Sequence, residues 1–209
     1  MTDSNLYGYR WDEDTSSTLL GEVKAASPIA WNKFVGLYHR LVYRWCRQAG
    51  LQPADAADVG QEVFRAVARK IGDYRHDRSG DTFRGWLRTI TRNKIRDWGR
   101  QRPPAVTGFL ERGRVARRSE LPIWDLPDPD RRTDAEEARQ VYLRACEIVR
   151  ERFEARTWQA FWQATIEETD VEDVAANLQM SVNAVRLAKS RVLKRLRQEF
   201  AGLLDFESP

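Results

Sequence analysis

The sequence is poor in the residues that build redox, metal and membrane sites. Its 209 residues include only two histidines, neither with partners at metal-ligand spacing, and two cysteines that do not suggest a disulfide framework. No apolar run approaches the roughly 18 residues that cross a bilayer, and the acidic, polar amino terminus lacks the order of a signal peptide. The net charge is only +4, so any strong field must be local. These absences predict a soluble, cytoplasmic protein with no cofactor, no metal and no membrane segment.

The apolar residues follow the 3.6-residue period of helices along most of the chain. The first long helix has a cap at Ser27, a proline at its first helical position and Gly50 after its end. A second helix is predicted over 53–71, and a third helix, rich in arginine, follows a polar loop. No segment alternates with period two for long enough to indicate a strand. The sequence therefore predicts an all-α fold.

A proline-rich stretch of mixed charge, 103–133, separates two predicted helical domains. Its length and its lack of an apolar period predict a long flexible linker. The first small helical domain is predicted over 19–102, and the second, which contains a helix-turn-helix, is predicted over 134–202. The remaining residues, 1–18 and 203–209, are predicted to be terminal tails.

The third helix carries an arginine at every fourth position, and these five residues are called the arginine row: Arg84, Arg88, Arg92, Arg96 and Arg100. Between 82 and 102 there are seven basic residues and one acidic residue, and like charges four apart on a helix repel each other. The row therefore indicates an external polyanion, and neighbouring aromatic residues such as Phe83 and Trp86 suit the bases of a single strand. The alternative is that the aromatics are core residues and the arginines are solvated or make general phosphate contacts.

The last part of the chain has the apolar framework of a helix-turn-helix, with Val174 in its first helix. Gln179 occupies the turn position that is usually glycine. Between 181 and 198 there are six basic residues and no acidic residue, which directs the second helix toward DNA. Asn183 and Arg186 are residue types that read base edges in a major groove. The alternative is a plain helical hairpin with a solvated basic face.

Three motifs in order resemble the extracytoplasmic-function (ECF) type of the sigma-70 family. The segment DAADVGQEVFRAVARKIGDYR resembles the polymerase-binding helix of that type, with its Asp-Val-x-Gln-Glu-x-Phe core. The segment TFRGWLRTITRNKIRDWGR resembles the helix that engages the −10 promoter element. The helix-turn-helix resembles the domain that reads the −35 element, and the resemblance extends over about 19–200.

The resemblance implies a sigma factor that binds core RNA polymerase, reads the −35 and −10 elements and assists promoter melting. Polymerase docking is implied for the outward face of the second helix: Asp55, Asp58, Gln61, Glu62 and Arg65. Contact with the −10 element and its melted non-template strand is implied for Tyr74, Arg75, Arg78, Ser79, Phe83, Arg84, Trp86, Arg88, Arg92, Asn93, Arg96 and Arg100. Contact with duplex DNA at −35 is implied for Ser181, Asn183, Arg186, Leu187, Lys189, Ser190, Arg191 and Lys194. Anti-sigma factors are common partners of proteins that resemble this chain.

Two other classes of function stay open on the residues alone. A stand-alone helix-turn-helix transcriptional regulator shares the carboxy-terminal motif, but the first half of the chain offers no phosphate loop or acidic pocket for a ligand or receiver domain. An enzyme acting on nucleic acid would need a nucleophile–base pair, and none is evident. Asp55, Asp58 and Glu62 could mimic a metal site, yet an outward acidic stripe with nothing opposite it is usually a docking or solvated face. The chain is therefore not expected to be an enzyme.

Overall fold

The computed structural model describes residues 18–75, 82–101, 126 and 128–204, and the regular structure within them is entirely helical. This confirms the prediction of an all-α fold. The helices of the described residues are α1 Leu19–Lys24, α2 Pro28–Gln48, α3 Pro53–Lys70, α4 Phe83–Gln101, α5 Arg131–Arg150, α6 Ala155–Thr165, α7 Val171–Asn177 and α8 Val182–Glu199, with a 3-10 turn at Ile71–Asp73 after α3.

The helix ends follow local sequence signals. The Ser27 hydroxyl accepts a hydrogen bond from the backbone N–H of Ala30 at 3.4 Å and caps α2, while Gly50 just beyond that helix has φ 88°. The Ser181 hydroxyl caps α8 in the same way, accepting from the N–H of Ala184 at 3.1 Å. The predicted helix starts at these two serines are therefore confirmed.

Helix α1 begins where the sequence predicted no helix, and α5 begins three residues before its predicted start. Helix α1 lies at the start of the first predicted domain, where Thr18 caps it and Leu19 is buried. Helix α5 begins three residues inside the stretch predicted as linker, because Asp130 accepts a hydrogen bond from the N–H of Thr133 at 2.7 Å. The proline content of the preceding residues hid this cap, although the aspartate is a usual capping residue.

Helices α2, α3 and α4 pack together around a cluster of aromatic rings. The ring centroids of Phe34 and Tyr38 lie 5.3 Å apart, and Phe83 lies 5.5 Å from the first and 5.3 Å from the second. Aromatic pairs at such distances stabilise a core beyond their buried area. This group fixes α4, and with it the arginine row, against α2 and α3.

Helices α6, α7 and α8 form a second group with its own small core. Val174 of α7 faces Val185 and Ala188 of α8, and Ala160 of α6 completes the cluster. The small alanine side chains let the helix axes approach closely. These are the positions that the sequence predicted for the apolar framework of the helix-turn-helix.

Helix α5 joins the two groups, since it packs on both α2 and α8. One hydrophobic cluster continues from the first group through α5 to the end of α8. Residues predicted as linker and tail contribute to it, because Leu126, Leu203 and Leu204 are buried and the Tyr38 hydroxyl donates to the carbonyl oxygen of Leu203 at 2.5 Å. The two predicted domains are therefore in direct contact. The rest of the predicted linker before α5 lies almost wholly outside the described residues, so its flexibility stays a prediction.

Candidate polymerase and nucleic-acid interfaces

The outward face of α3 is an open surface of mixed charge. Asp58, Gln61 and Arg65 are exposed, and Glu62 forms an ion pair with Arg65 one turn away. Asp55 lies one turn before Asp58 on the same helix and is half-buried. Four of these five predicted docking residues, all except Asp55, line a groove of about 440 Å³. The structure thus places the predicted polymerase-binding residues on one accessible face.

The opposite wall of this groove comes from the last two turns of α4. Lys94, Asp97 and Trp98 line it, and Trp98 is half-buried against the core. A groove with a half-exposed tryptophan and both signs of charge has the composition of a protein-binding surface. The sequence reasoning missed this wall, because it assigned α4 to DNA alone. A signal for this wall was present in the sequence, because Trp98 is a large apolar residue near the end of an otherwise basic helix.

The aromatic residues predicted to contact the melted strand are mostly core residues in this arrangement. Tyr74 and Phe83 are 5% and 1% exposed, whereas Trp86 is half-buried, with its ring tilted against theirs at centroid distances of 5.1 and 5.2 Å. Arg75 is exposed beside them. The other two residues of the predicted loop lie outside the described residues: Arg78 and Ser79. Of the three rings, Trp86 presents the most surface to a base.

The arginine row turns around α4 as it advances. Each step of four residues rotates by 400°, so the five arginines drift through about 160° from first to last. Arg84 and Arg88 are only 7% and 6% exposed, whereas Arg96 and Arg100 are exposed, together with Asn93. Two of the five arginines in the predicted DNA-binding row therefore face the protein, two face solvent, and Arg92 between them is half-buried.

The buried half of the row contacts carboxylates of α5. A guanidinium nitrogen of Arg88, Nη1, donates to both oxygens of Glu137 at 3.0 Å, and Trp45 Nε1 donates to Oε1 of the same carboxylate at 2.7 Å. Arg44 approaches it to 3.5 Å, and the Arg88 guanidinium lies 5.1 Å from the centroid of the Trp45 ring. Glu137 is completely buried. A carboxylate so placed is compensated on several sides, which is what burial of a charge requires.

Two further carboxylates extend this pattern along α4. Arg84 Nη2 donates to both oxygens of Asp134 at 2.9 Å, and Arg92 Nη1 donates to Asp128 Oδ1 at 3.0 Å. The sequence indicated an external polyanion for the row, and in this structure the partners of three arginines are internal. The excess of positive charge on α4 was a correct signal that counter-charges were needed. The residues that supply the counter-charges were not predicted, because Asp128 lies within the predicted linker and Asp134 lies at its edge.

The helix-turn-helix turn is held by an arginine from α6. Arg156 Nη2 donates to the carbonyl oxygens of Leu178 at 2.6 Å and of Gln179 at 2.5 Å. Gln179 has φ +51°, the left-handed conformation that explains why glycine is usual at this position. The backbone N–H of Met180 closes the turn by donating to the Ala175 carbonyl oxygen at 2.8 Å. The first residues of α8 are thereby set in a fixed direction.

The outer face of α8 is accessible along its length. Lys189, Lys194 and Arg197 line a groove of about 630 Å³ on this face, together with Arg186. The Arg186 guanidinium lies 3.7 Å from Glu172 of α7, an exposed and therefore weak pair. Of the residues predicted to contact the −35 element, only Lys189 is half-buried. The others are exposed: Ser181, Asn183, Arg186, Leu187, Ser190, Arg191 and Lys194.

The described residues contain no cluster of three or more His, Cys, Asp or Glu side chains that could hold a metal ion. Among the same residues, no helix is both long and apolar enough to cross a bilayer. Within the described residues, three surfaces are candidates for binding a partner: the α3–α4 groove, the arginine row and the outer face of α8.

Comparisons with known proteins bear on the first two of these surfaces. Residues 34–103 match the family model of sigma-70 region 2. Over 93 residues the chain is 33% identical to the ECF RNA polymerase sigma factor SigE of Mycolicibacterium smegmatis, a match that covers 44% of this chain and 34% of that protein. The chain thus aligns with about a third of the length of this curated relative.

Two solved structures are similar over most of the chain, though at low identity. In the complex of CnrH with the cytosolic domain of CnrY, the similarity covers 88% of this chain and 95% of the other, with 22% identity and a TM-score of 0.35. In the RsbN–BldN complex it covers 86% and 97%, with 17% identity and a TM-score of 0.34. TM-scores this low do not establish a shared arrangement of the helices.

Proposed function

We propose that this chain, whose residues 34–103 match sigma-70 region 2, is an ECF-type sigma factor that binds core RNA polymerase and directs transcription initiation at specific promoters. One observation carries the proposal. The part that matches region 2 presents an open groove on α3, and the same chain ends in an exposed basic helix set by a helix-turn-helix turn. A protein that reads two separate DNA elements on polymerase needs both surfaces.

Polymerase docking is assigned to the α3–α4 groove. Asp58, Gln61 and Glu62 offer acceptors on one face, and Trp98 adds an apolar contact at the centre of the opposite wall. Interfaces combine an apolar anchor with a polar rim in this way. The groove therefore offers both affinity and orientation to a complementary surface on polymerase.

Promoter reading is assigned to α8 and α4. Asn183 and Arg186 face solvent near the start of α8, where a recognition helix contacts base edges in the major groove. Lys194 and the neighbouring basic residues hold phosphates and carry no sequence information. On α4, Trp86 stacks on a base of the melted strand, and the arginine row holds its backbone. An anti-sigma partner stays a prediction from the resemblance.

Binding to core RNA polymerase tests the proposal. Purified protein is titrated against labelled core polymerase at a salt concentration of about 0.2 M, which suppresses contacts made by charge alone. The double variant Asp58→Arg, Glu62→Arg is expected to bind at least ten times more weakly than the parent, because it reverses two charges in the groove.

A matched control separates this effect from a change in net charge. Glu136→Arg with Glu151→Arg makes the same charge change at two exposed positions, one on α5 and one directly after it, far from the groove in sequence. Parent-like binding by this control with loss in the groove variant supports the assignment. If the parent does not bind polymerase but retains duplex DNA binding through Arg186, the protein is a stand-alone transcriptional regulator.

A further inference from the structure

We propose that α5 of this chain and the phosphates of nucleic acid compete for one arginine surface on α4. The arrangement described above, here called the closed arrangement, is then a form in which α4 does not engage DNA until α5 moves away. This inference rests on the proposed function and adds a form of regulation to it. It follows from the contacts of Arg84 and Arg88, which the sequence pattern assigned to a polyanion outside the chain.

The acidic edge of α5, defined as Asp134 and Glu137, has the chemistry of a phosphate mimic. The two residues are three apart and so lie on one face of the helix. Each carboxylate contacts one guanidinium through both of its oxygens, at 2.9 Å for Arg84 and 3.0 Å for Arg88. Arginine recognises carboxylate and phosphate by the same donors, so one ligand excludes the other.

These two arginines are shielded from solvent in addition to being paired with carboxylates. Arg84 and Arg88 are less than a tenth exposed: their side chains reach the carboxylates of α5, and Arg88 also lies over the Trp45 ring of α2. Arg96 and Arg100, at the other end of the row, remain exposed. In the closed arrangement a nucleic-acid backbone can therefore reach only part of the row. The strand would bind more weakly than it would if Arg84 and Arg88 were also accessible.

The distance between promoter elements gives an independent reason for opening. Elements near −35 and −10 lie about 25 base pairs apart, which is about 85 Å along B-DNA at 3.4 Å per base pair. A compact chain of this length has a radius of gyration of about 17 Å and is only about 45 Å across. Contact with both elements at once therefore needs the two helical groups to separate.

The chain length between the groups permits this separation. Helix α4 ends at Gln101 and α5 begins at Arg131, so the segment between them, 102–130, can extend to about 100 Å at about 3.4 Å per residue. Opening would also break the contacts at the far end of the interface, where Glu199 of α8 lies 3.5 Å from Lys33 of α2. Glu199 is only 6% exposed, and the buried apolar contacts of Leu203 would be broken as well, so nucleic-acid binding has to offset the cost of opening.

A charge-neutral variant of the acidic edge tests the competition in the full-length chain. Asp134→Asn with Glu137→Gln keeps the shape of both side chains and removes both charges. The matched control is Glu136→Gln with Glu151→Gln, which changes the net charge equally at two exposed positions, one on α5 and one directly after it. Two quantities are measured: the radius of gyration by small-angle X-ray scattering, and the affinity for a fluorescent oligothymidine of about 20 nucleotides across a salt series.

The acidic-edge variant is expected to have a larger radius of gyration than the parent and the control. Release of two arginines should steepen the slope of log affinity against log salt by about 1.4, at about 0.7 per phosphate contact on a single strand. At about 0.1 M salt this corresponds to an affinity gain of about 25-fold. A variant that opens without this gain, or that does not open, overturns the proposal.

A titration of the parent protein decides the question if the variant fails to fold. Saturating oligothymidine is expected to raise the radius of gyration of the complex above that of the closed chain plus the strand, because phosphates displace α5. Binding with no expansion overturns the proposal. Neither measurement involves polymerase, so a failure here leaves the polymerase-binding result, and with it the proposed function, unaffected.

Discussion

The turn of the helix-turn-helix offers a sharp test of the structural reasoning, through the substitution Gln179→Gly. Gln179 has φ +51°, a left-handed conformation that costs a residue with a Cβ atom roughly 1–2 kcal/mol. The side chain is exposed, and the backbone carbonyl that accepts from Arg156 is kept in the variant. Removing the side chain therefore relieves strain without removing a described hydrogen bond.

The expected gain is smaller than the strain, because glycine also loses more backbone entropy on folding. That loss is about 0.5–1 kcal/mol relative to alanine. The net effect on the free energy of unfolding is then an increase of about 0.5–1 kcal/mol. For a chain of 209 residues this raises Tm by about 1–4 °C.

Thermal and denaturant unfolding, followed by circular dichroism, measure this change. The control is Ala176→Gly, three positions earlier on the exposed face of α7, where glycine replaces a residue in helical conformation. That variant is expected to lose about 1 kcal/mol, so the two glycine substitutions should have opposite signs. A Gln179→Gly protein that is destabilised as much as the control would refute a left-handed turn at this position.

Two further predictions concern titratable groups. Burial raises the pKa of the Cys46 and Cys146 thiols to about 12, so both should remain unreactive toward a thiol-specific disulfide reagent near pH 8 until denaturant is added, and prompt labelling of the native protein would contradict this. Hydrogen bonds from the backbone and side chain of Thr133 hold the pKa of Asp130 below its ordinary value. The stability that this cap adds is therefore present above the ordinary aspartate pKa and lost as pH falls through the lowered value. Unfolding midpoints across about pH 2–6 should show a shallower acid loss for Asp130→Asn, and an equal loss would argue against the cap.

The sequence predicted what depends on neighbouring residues. Ser27 and Ser181 cap their helices through N–H groups three residues away, so both helix starts were readable. Gln179 occupies the turn position at which glycine is usual, and its φ of +51° agrees with that preference. The apolar framework of α7 and α8 was likewise predicted, because its period is contained within each helix.

The contact between the two helical groups was not predicted, because its partners are distant in sequence. Arg88 and Glu137 are 49 positions apart and meet only when α5 packs on α2. Leu203 was predicted as part of a tail, and its burial depends on the same packing. A row of like charges indicates that counter-charges are required, but the spacing of the row does not say whether they belong to the same chain.

The charged pair Arg88–Glu137 in the contact between the two helical groups bears on the function of that contact. A buried ion pair is weak evidence for stability, since apolar residues of similar volume often hold two helices as well or better. This interface also contains apolar residues, because one hydrophobic cluster continues through α5 to Leu203, and separation of the two groups would expose part of it. The Arg88–Glu137 pair is different, because both side chains can return to water and the arginine has a second ligand in a phosphate. The charged part of the interface therefore suits surfaces that alternate between partners, while the apolar part favours the closed arrangement.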